Sequence, residues 1–99
     1  MRLTTQQIDG IREIVQRLAG EQAELRLFGS RLDDSARGGD VDIFVELPDP
    51  VTKPAWLAAR IGGEVSRLMH GRKVDVLLAA PNLKNLPIHD IARQQGQRL

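Results

Sequence analysis

Ninety-nine residues are enough for one domain, because a chain of that length buries roughly 60–70% of its unfolded surface and supports a single modest core. Hydrophobic residues make up 41% and charged residues 27%, an ordinary soluble balance, and a net charge of +1 lacks the strongly basic character of a dedicated nucleic-acid binder. The absence of cysteine excludes disulfide scaffolds, thiolate metal sites and cysteine nucleophiles together.

No apolar run approaches the ~20 residues needed to span a bilayer. The polar start, Met1 to Gly10, lacks the apolar segment of a signal peptide. A cytoplasmic protein without membrane contact is the expectation. Phe28, Phe44 and Trp56 are the whole aromatic set, so the core must come mainly from Leu, Ile, Val and Ala.

In chain order, residues 5–19 read as a helix, with Ile8, Ile11, Ile14, Val15 and Leu18 on one face. Thr4 or Thr5 is the candidate N-cap and Gly20 the stop, while Gly10 interrupts the pattern. Residues 24–28 alternate as a strand that Gly29 ends. A polar loop, Asp33 to Gly39, follows, with Gly38-Gly39 as an entry to the next element. Residues 40–47 form the clearest strand, broken by Pro48 and Pro50. Residues 54–70 read as a second helix, with Pro54 in its first turn, Leu57, Ile61, Val65 and Leu68 on its buried stripe, and Gly71 as its stop. Gly62-Gly63 is either a weak spot or a close approach to the sheet. Residues 73–79 are a third strand, and a short helix over about 87–95 follows.

The order is α-β-β-α-β-α in a single domain, residues 1–99. This predicts an α/β (α+β) fold: a small mixed sheet of about three strands with helices on one face, strands two and three joined by a right-handed crossover.

The period of two in the strands puts Val41, Ile43 and Val45 on one face and Asp40, Asp42, Phe44 and Glu46 on the other. In the third strand Val74, Val76 and Leu78 share a face opposite Asp75 and Leu77. If these strands are neighbours, Asp40, Asp42 and Asp75 meet on the uncovered side. Like charges ~4 Å apart cost about 1 kcal/mol in water and about 4 kcal/mol at an effective dielectric near 20. A hard cation relieves that cost. Mg²⁺ favours one or two carboxylates plus phosphate oxygens, and one or two ions would suit nucleotidyl transfer. Gly29-Ser30-Arg31 after the first strand supplies a phosphate site: Gly29 permits close backbone approach, Ser30 and the following amides donate, and Arg31 adds charge.

Gly29-Ser30, nine residues, Asp40-Val-Asp42, and Asp75 on a later strand together resemble the polymerase-beta-type nucleotidyltransferase superfamily. The likeness runs from about residue 8 to residue 95, and the size is similar to its minimal MNT group, often paired with HEPN-domain toxins. The closing stretch 88–96 also looks like that group's usual end. The resemblance implies that Asp40, Asp42 and Asp75 bind metal, with Asp75 helping to activate the acceptor hydroxyl, and that Gly29 and Ser30 hold the triphosphate. Arg31 follows less directly, because that position varies in such families. The implied activity is transfer of NMP, AMP from ATP, to a hydroxyl of a partner protein: the antitoxin role of a HEPN/MNT pair. The chain has no room for an acceptor domain, so a second protein or self-association must complete that site. The alternative is an antitoxin that acts by binding alone. A stand-alone nucleic-acid module is disfavoured for want of a basic patch and stacking aromatics.

Other residues have plainer readings. Glu46 reads as solvated and not as a ligand. His70 and His89 read as helix-end residues and not as general bases. Trp56 reads as a partly buried packing residue. Arg60, Arg67 and Arg72 read as a solvated helix face.

Overall fold

The computed structural model describes residues 3–28 and 41–99. Gly29, Ser30, Arg31, the loop 33–39 and Asp40, on which several of the expectations above rest, lie outside the described residues.

Helix α1, Thr5–Ala19, begins with a reciprocal cap. The Gln7 amide N–H donates to Thr4 Oγ1, and the Thr4 N–H donates to Gln7 Oε1 at 2.8 Å. That pairing satisfies two of the N–H groups a helix start leaves open. Gly20, at φ 100°, ends the helix. Strand β1, Glu24–Phe28, runs antiparallel to β2, Val41–Glu46. Helix α2, Pro54–Leu68, then leads to β3, Val74–Ala79, which runs parallel to β2. Helix α2 closes with His70 at φ 61°, its N–H bonded to the Arg67 carbonyl and that of Gly71 to the Ser66 carbonyl. These are the two bonds of a Schellman stop. Helix α3 spans Pro87–Gln95. Among the described residues no helix is long and apolar enough to cross a membrane.

A fourth strand, β4, Gln97–Arg98, extends the sheet to the order β3-β2-β1-β4. It pairs antiparallel with β1, Arg26 opposite Arg98 and Leu27 opposite Gln97. Two polar residues carry no alternation, so this strand leaves no sequence signal. Gly96 makes the pairing reachable. A Cβ there would lie 2.4 Å from the Ala92 carbonyl oxygen and 3.2 Å from the Arg26 Cβ.

The apolar faces of β1, β2 and β3 pack under α1 and α2. Ile11, Ile14 and Val15 of α1 meet Leu25, Leu27, Val41, Ile43 and Val45 of the sheet and Leu57, Ile61 and Val65 of α2. Gly10, an interruption in the helical pattern, lets the two helices close: its missing Cβ would stand 2.7 Å from a Leu68 methyl. Gly63 has no such role, since a Cβ at that position would meet nothing within 4 Å. Gly63→Ala is therefore expected to stabilise the protein by about 0.5–1 kcal/mol through helix propensity alone, readable as a raised unfolding midpoint.

Helices α1 and α2 cover one face, as the strand pattern requires, but α3 lies on the other face. Phe44, fully buried, sits with Ala79 and Ala92 in a second small core there, flanked by Phe28 and Leu77. The expectation of helices on one face alone is corrected by that aromatic. A Phe left bare on the carboxylate face would forfeit about 1.5–3 kcal/mol of burial, and α3 recovers it.

The two long helices are also tied outside the core. Glu64 of α2 accepts from Arg17 of α1 and from Arg60 one turn earlier, the latter at 3.1 Å. Arg60 is thus ion-paired and not simply solvated. The Arg17 hydrogen bond holds the Glu64 carboxyl below its usual value near 4.5, desolvation opposes that shift, and Arg60 adds to it. A lowered carboxyl stabilises the fold above the ordinary carboxylate range, and that contribution disappears as pH falls through the folded value. Glu64→Gln should accordingly unfold at lower temperature than wild type at neutral pH, with the gap shrinking as pH falls below the ordinary carboxylate range.

Candidate functional site

The sheet registers arrange its second face in three rows. At one end Phe28, Asp42 and Asp75 stand opposite one another on β1, β2 and β3. In the middle come Arg26, Phe44 and Leu77, and at the far end Glu24, Glu46 and Ala79. Register partners on adjacent strands point to the same side, with backbones about 4.8 Å apart. Asp42 and Asp75 are 33 positions apart in the chain, and the parallel pairing of β2 with β3 sets them side by side. Asp42 is half-buried and Asp75 exposed. Among the described residues no third carboxylate joins them. Asp40, the third expected, lies outside those residues, as do Gly29, Ser30 and Arg31, which follow Phe28 directly in the chain.

Two carboxylates at neighbouring positions on a face that solvent reaches are an arrangement with a cost. Their repulsion is on the order of 1 kcal/mol in water and several times that where water is partly excluded. The parallel ladder fixes the two residues at neighbouring register positions. Hard anionic oxygens placed this way suit a hard divalent cation that brings further oxygens from water or phosphate.

The far row behaves differently. Glu46 is ion-paired, which corrects the expectation of a merely solvated residue. Arg26 donates to it at 3.3 Å and Arg93 of α3 at 2.9 Å. Arg26 also reaches Glu24, and Arg93 reaches Asn85 and Asp90. Arg93 further lies 5.5 Å above the Phe44 ring centroid, within cation–π range. This network seats α3 on the sheet and occupies Glu46 as a structural anion. Asp42 and Asp75 thus lie towards the starts of β2 and β3, and the Arg26–Glu46–Arg93 cluster lies towards their ends.

Both histidines are at helix ends, as expected. His70 is exposed in the α2 stop. His89, in the first turn of α3, is only 4% exposed and engages both of its ring nitrogens in hydrogen bonds. Trp56 departs from its reading as a packing residue. It is 58% exposed and lines a shallow apolar groove of about 280 Å³ with Leu18, Val51 and Leu57.

Sequence reasoning missed Arg26, Arg93 and Asn82. Arg26 and Arg93 are isolated basic residues whose common partner, Glu46, is 20 and 47 positions away. Asn82 exchanges two hydrogen bonds with the Val51 backbone, at 2.8 and 2.9 Å, and so joins the exit of β3 to the approach of α2. Nothing in the local pattern marks any of them.

The family model described as a nucleotidyltransferase domain matches residues 8–95, most of the chain. No curated protein matches the sequence.

Proposed function

The chain belongs to the nucleotidyltransferase domain family, and on that basis we propose that it transfers AMP from ATP to a hydroxyl of a partner protein, as the antitoxin of a HEPN/MNT pair. Transfer of a nucleoside monophosphate is the family's general reaction. The observation that supports this reading is the row in which Asp42 and Asp75 stand as register partners.

Asp42 and Asp75, with Asp40 from the same Asp-x-Asp, would hold Mg²⁺, one ion or two. The oxygen donor set fits that cation. When bound, it would neutralise phosphate charge and favour an ionised acceptor oxygen. Gly29 and Ser30 would cradle the triphosphate, with Arg31 adding a charge-assisted contact. Asp75 would take the acceptor proton as the oxygen bonds to the α-phosphorus, while the bond to pyrophosphate breaks. Cytoplasmic location belongs to this reading.

The test is to incubate the protein with its HEPN partner, ATP and Mg²⁺ and weigh the partner. Addition of one AMP unit that is lost in the Asp40→Asn, Asp42→Asn double variant is the expected result. A complex that forms yet never gains AMP would defeat the transfer.

A second reading, neutralisation by binding alone, draws on the apolar residues left exposed on and before α3: Leu86, Ile88 and Ile91, each 43–49% exposed. Such residues suit a protein contact. If the double variant still neutralises the partner, this reading takes first place.

A further inference from the structure

One half of the helix-start arrangement of α1, the bond from the third helical side chain back to the residue before the helix, is built again in α3 from a chemically different residue. In α1 the third helical residue, Gln7, reaches back with Oε1 to accept the N–H of Thr4, the residue before the helix. In α3 the third helical residue, His89, reaches back with Nδ1 to accept the N–H of Leu86 at 2.9 Å. An amide oxygen does not titrate in the physiological range, whereas an imidazole does.

The other side of the ring is occupied too. The Ala79 carbonyl accepts from Leu47, beside the end of β2, so the preceding Leu78 carbonyl turns towards the outer edge of the sheet. His89 Nε2 lies 3.0 Å from that Leu78 oxygen. A carbonyl only accepts, so Nε2 carries the hydrogen. A backbone N–H only donates, so Nδ1 carries none. The folded structure therefore specifies one neutral tautomer. The ring is buried and packs edge-on against Phe44, with centroids 6.1 Å apart.

We propose that His89 is a proton-operated latch for α3. A proton arriving at Nδ1 faces the Leu86 N–H donor to donor. The cap is lost, and a charged ring is left against Phe44 with no carboxylate of the described residues bonded to it. Among those residues the surrounding charges do not supply one. Glu46 of β2 is held by Arg26 of β1 and by Arg93, and Asp90 of α3 is held by Arg93. Lys84, from the segment before α3, lines the same cavity as His89 and adds a further positive charge. Protonation thus loosens α3 from the face that carries Asp42 and Asp75, while α1, capped by Gln7, stays as it is. This inference concerns the fold and holds whichever acceptor the protein uses.

Amide hydrogen exchange, read as protection factors by NMR at about pH 7.5 and about pH 5, tests it. In wild type the later amides of α3 should lose protection by about tenfold relative to those of α1, the scale of one broken cap. His89→Gln, which copies the α1 arrangement, should keep its α3 protection at both pH values. Nitrogen shifts of the His89 ring in wild type, which do not depend on the variant folding, should show hydrogen on Nε2 alone at the higher pH. The latch is overturned by a ring that protonates with α3 protection unchanged, by a ring that never protonates across that range, by hydrogen on Nδ1 at the higher pH, or by an equal loss in His89→Gln.

Discussion

Asp75→Asn is expected to leave the fold standing and to lower nucleotidyl transfer by about 10²–10⁴-fold, the scale of losing a proton acceptor and a charged group at the reacting centre. Asp75 is exposed on the edge strand, opposite Asp42. The isosteric amide keeps the shape of an exposed side chain, so the variant should be about as stable as wild type without ligand. The two proteins should separate once Mg²⁺ and ATP are added. A ligand at ~100 times its dissociation constant stabilises the folded state by about 2.7 kcal/mol, several degrees or more for a domain of this size. Thermal unfolding with and without both ligands should show that rise in wild type and not in Asp75→Asn. An unchanged rise together with unchanged turnover would remove Asp75 from the site.

The largest loss of stability should come from Phe44→Ala. Phe44 is fully buried between β2 and α3, touches His89 edge-on and lies under Arg93. Truncating a buried Phe costs about 3–5 kcal/mol, part of it from the cavity left behind. In a domain with a total of roughly 5–15 kcal/mol, that is a large fraction. The midpoint of thermal unfolding should fall by about 15 °C or more. Phe44→Leu refills most of the volume and should cost under about 1.5 kcal/mol. If the two substitutions proved equal, the second core would be too loosely packed to seat α3 as described.

Much of this architecture is legible in the sequence, and the reason is periodicity. The alternation in 41–46 and 74–79 sorts aliphatic from acidic side chains onto opposite faces, and the structure keeps that sorting residue for residue. The bounds of α1 and β1 follow from Thr4, Gly20 and the local pattern, because caps and stops are local chemistry. The pattern places Phe44 correctly on the carboxylate face, but what covers it depends on α3, whose docking rests on Ala92, His89 and Arg93 from distant chain. The Arg26–Glu46–Arg93 cluster escapes for the same reason: ion pairs between remote residues have no period. Two of the three carboxylates expected at the site, Asp42 and Asp75, are adjacent in the register; the phosphate-binding stretch and Asp40 lie outside the described residues.

The parallel register of β2 and β3 also bears on how the chain avoids misfolding. Strand β3 is an edge strand, and edge strands are the elements most free to slide. A shift of one residue would turn Asp75 under α2, among Ile61 and Val65, and would push Val74 and Val76 into water. Burying one uncompensated carboxylate costs several kcal/mol, a large share of what holds a small domain together. The acidic residue proposed for the chemistry therefore also disfavours a slipped alignment of β3.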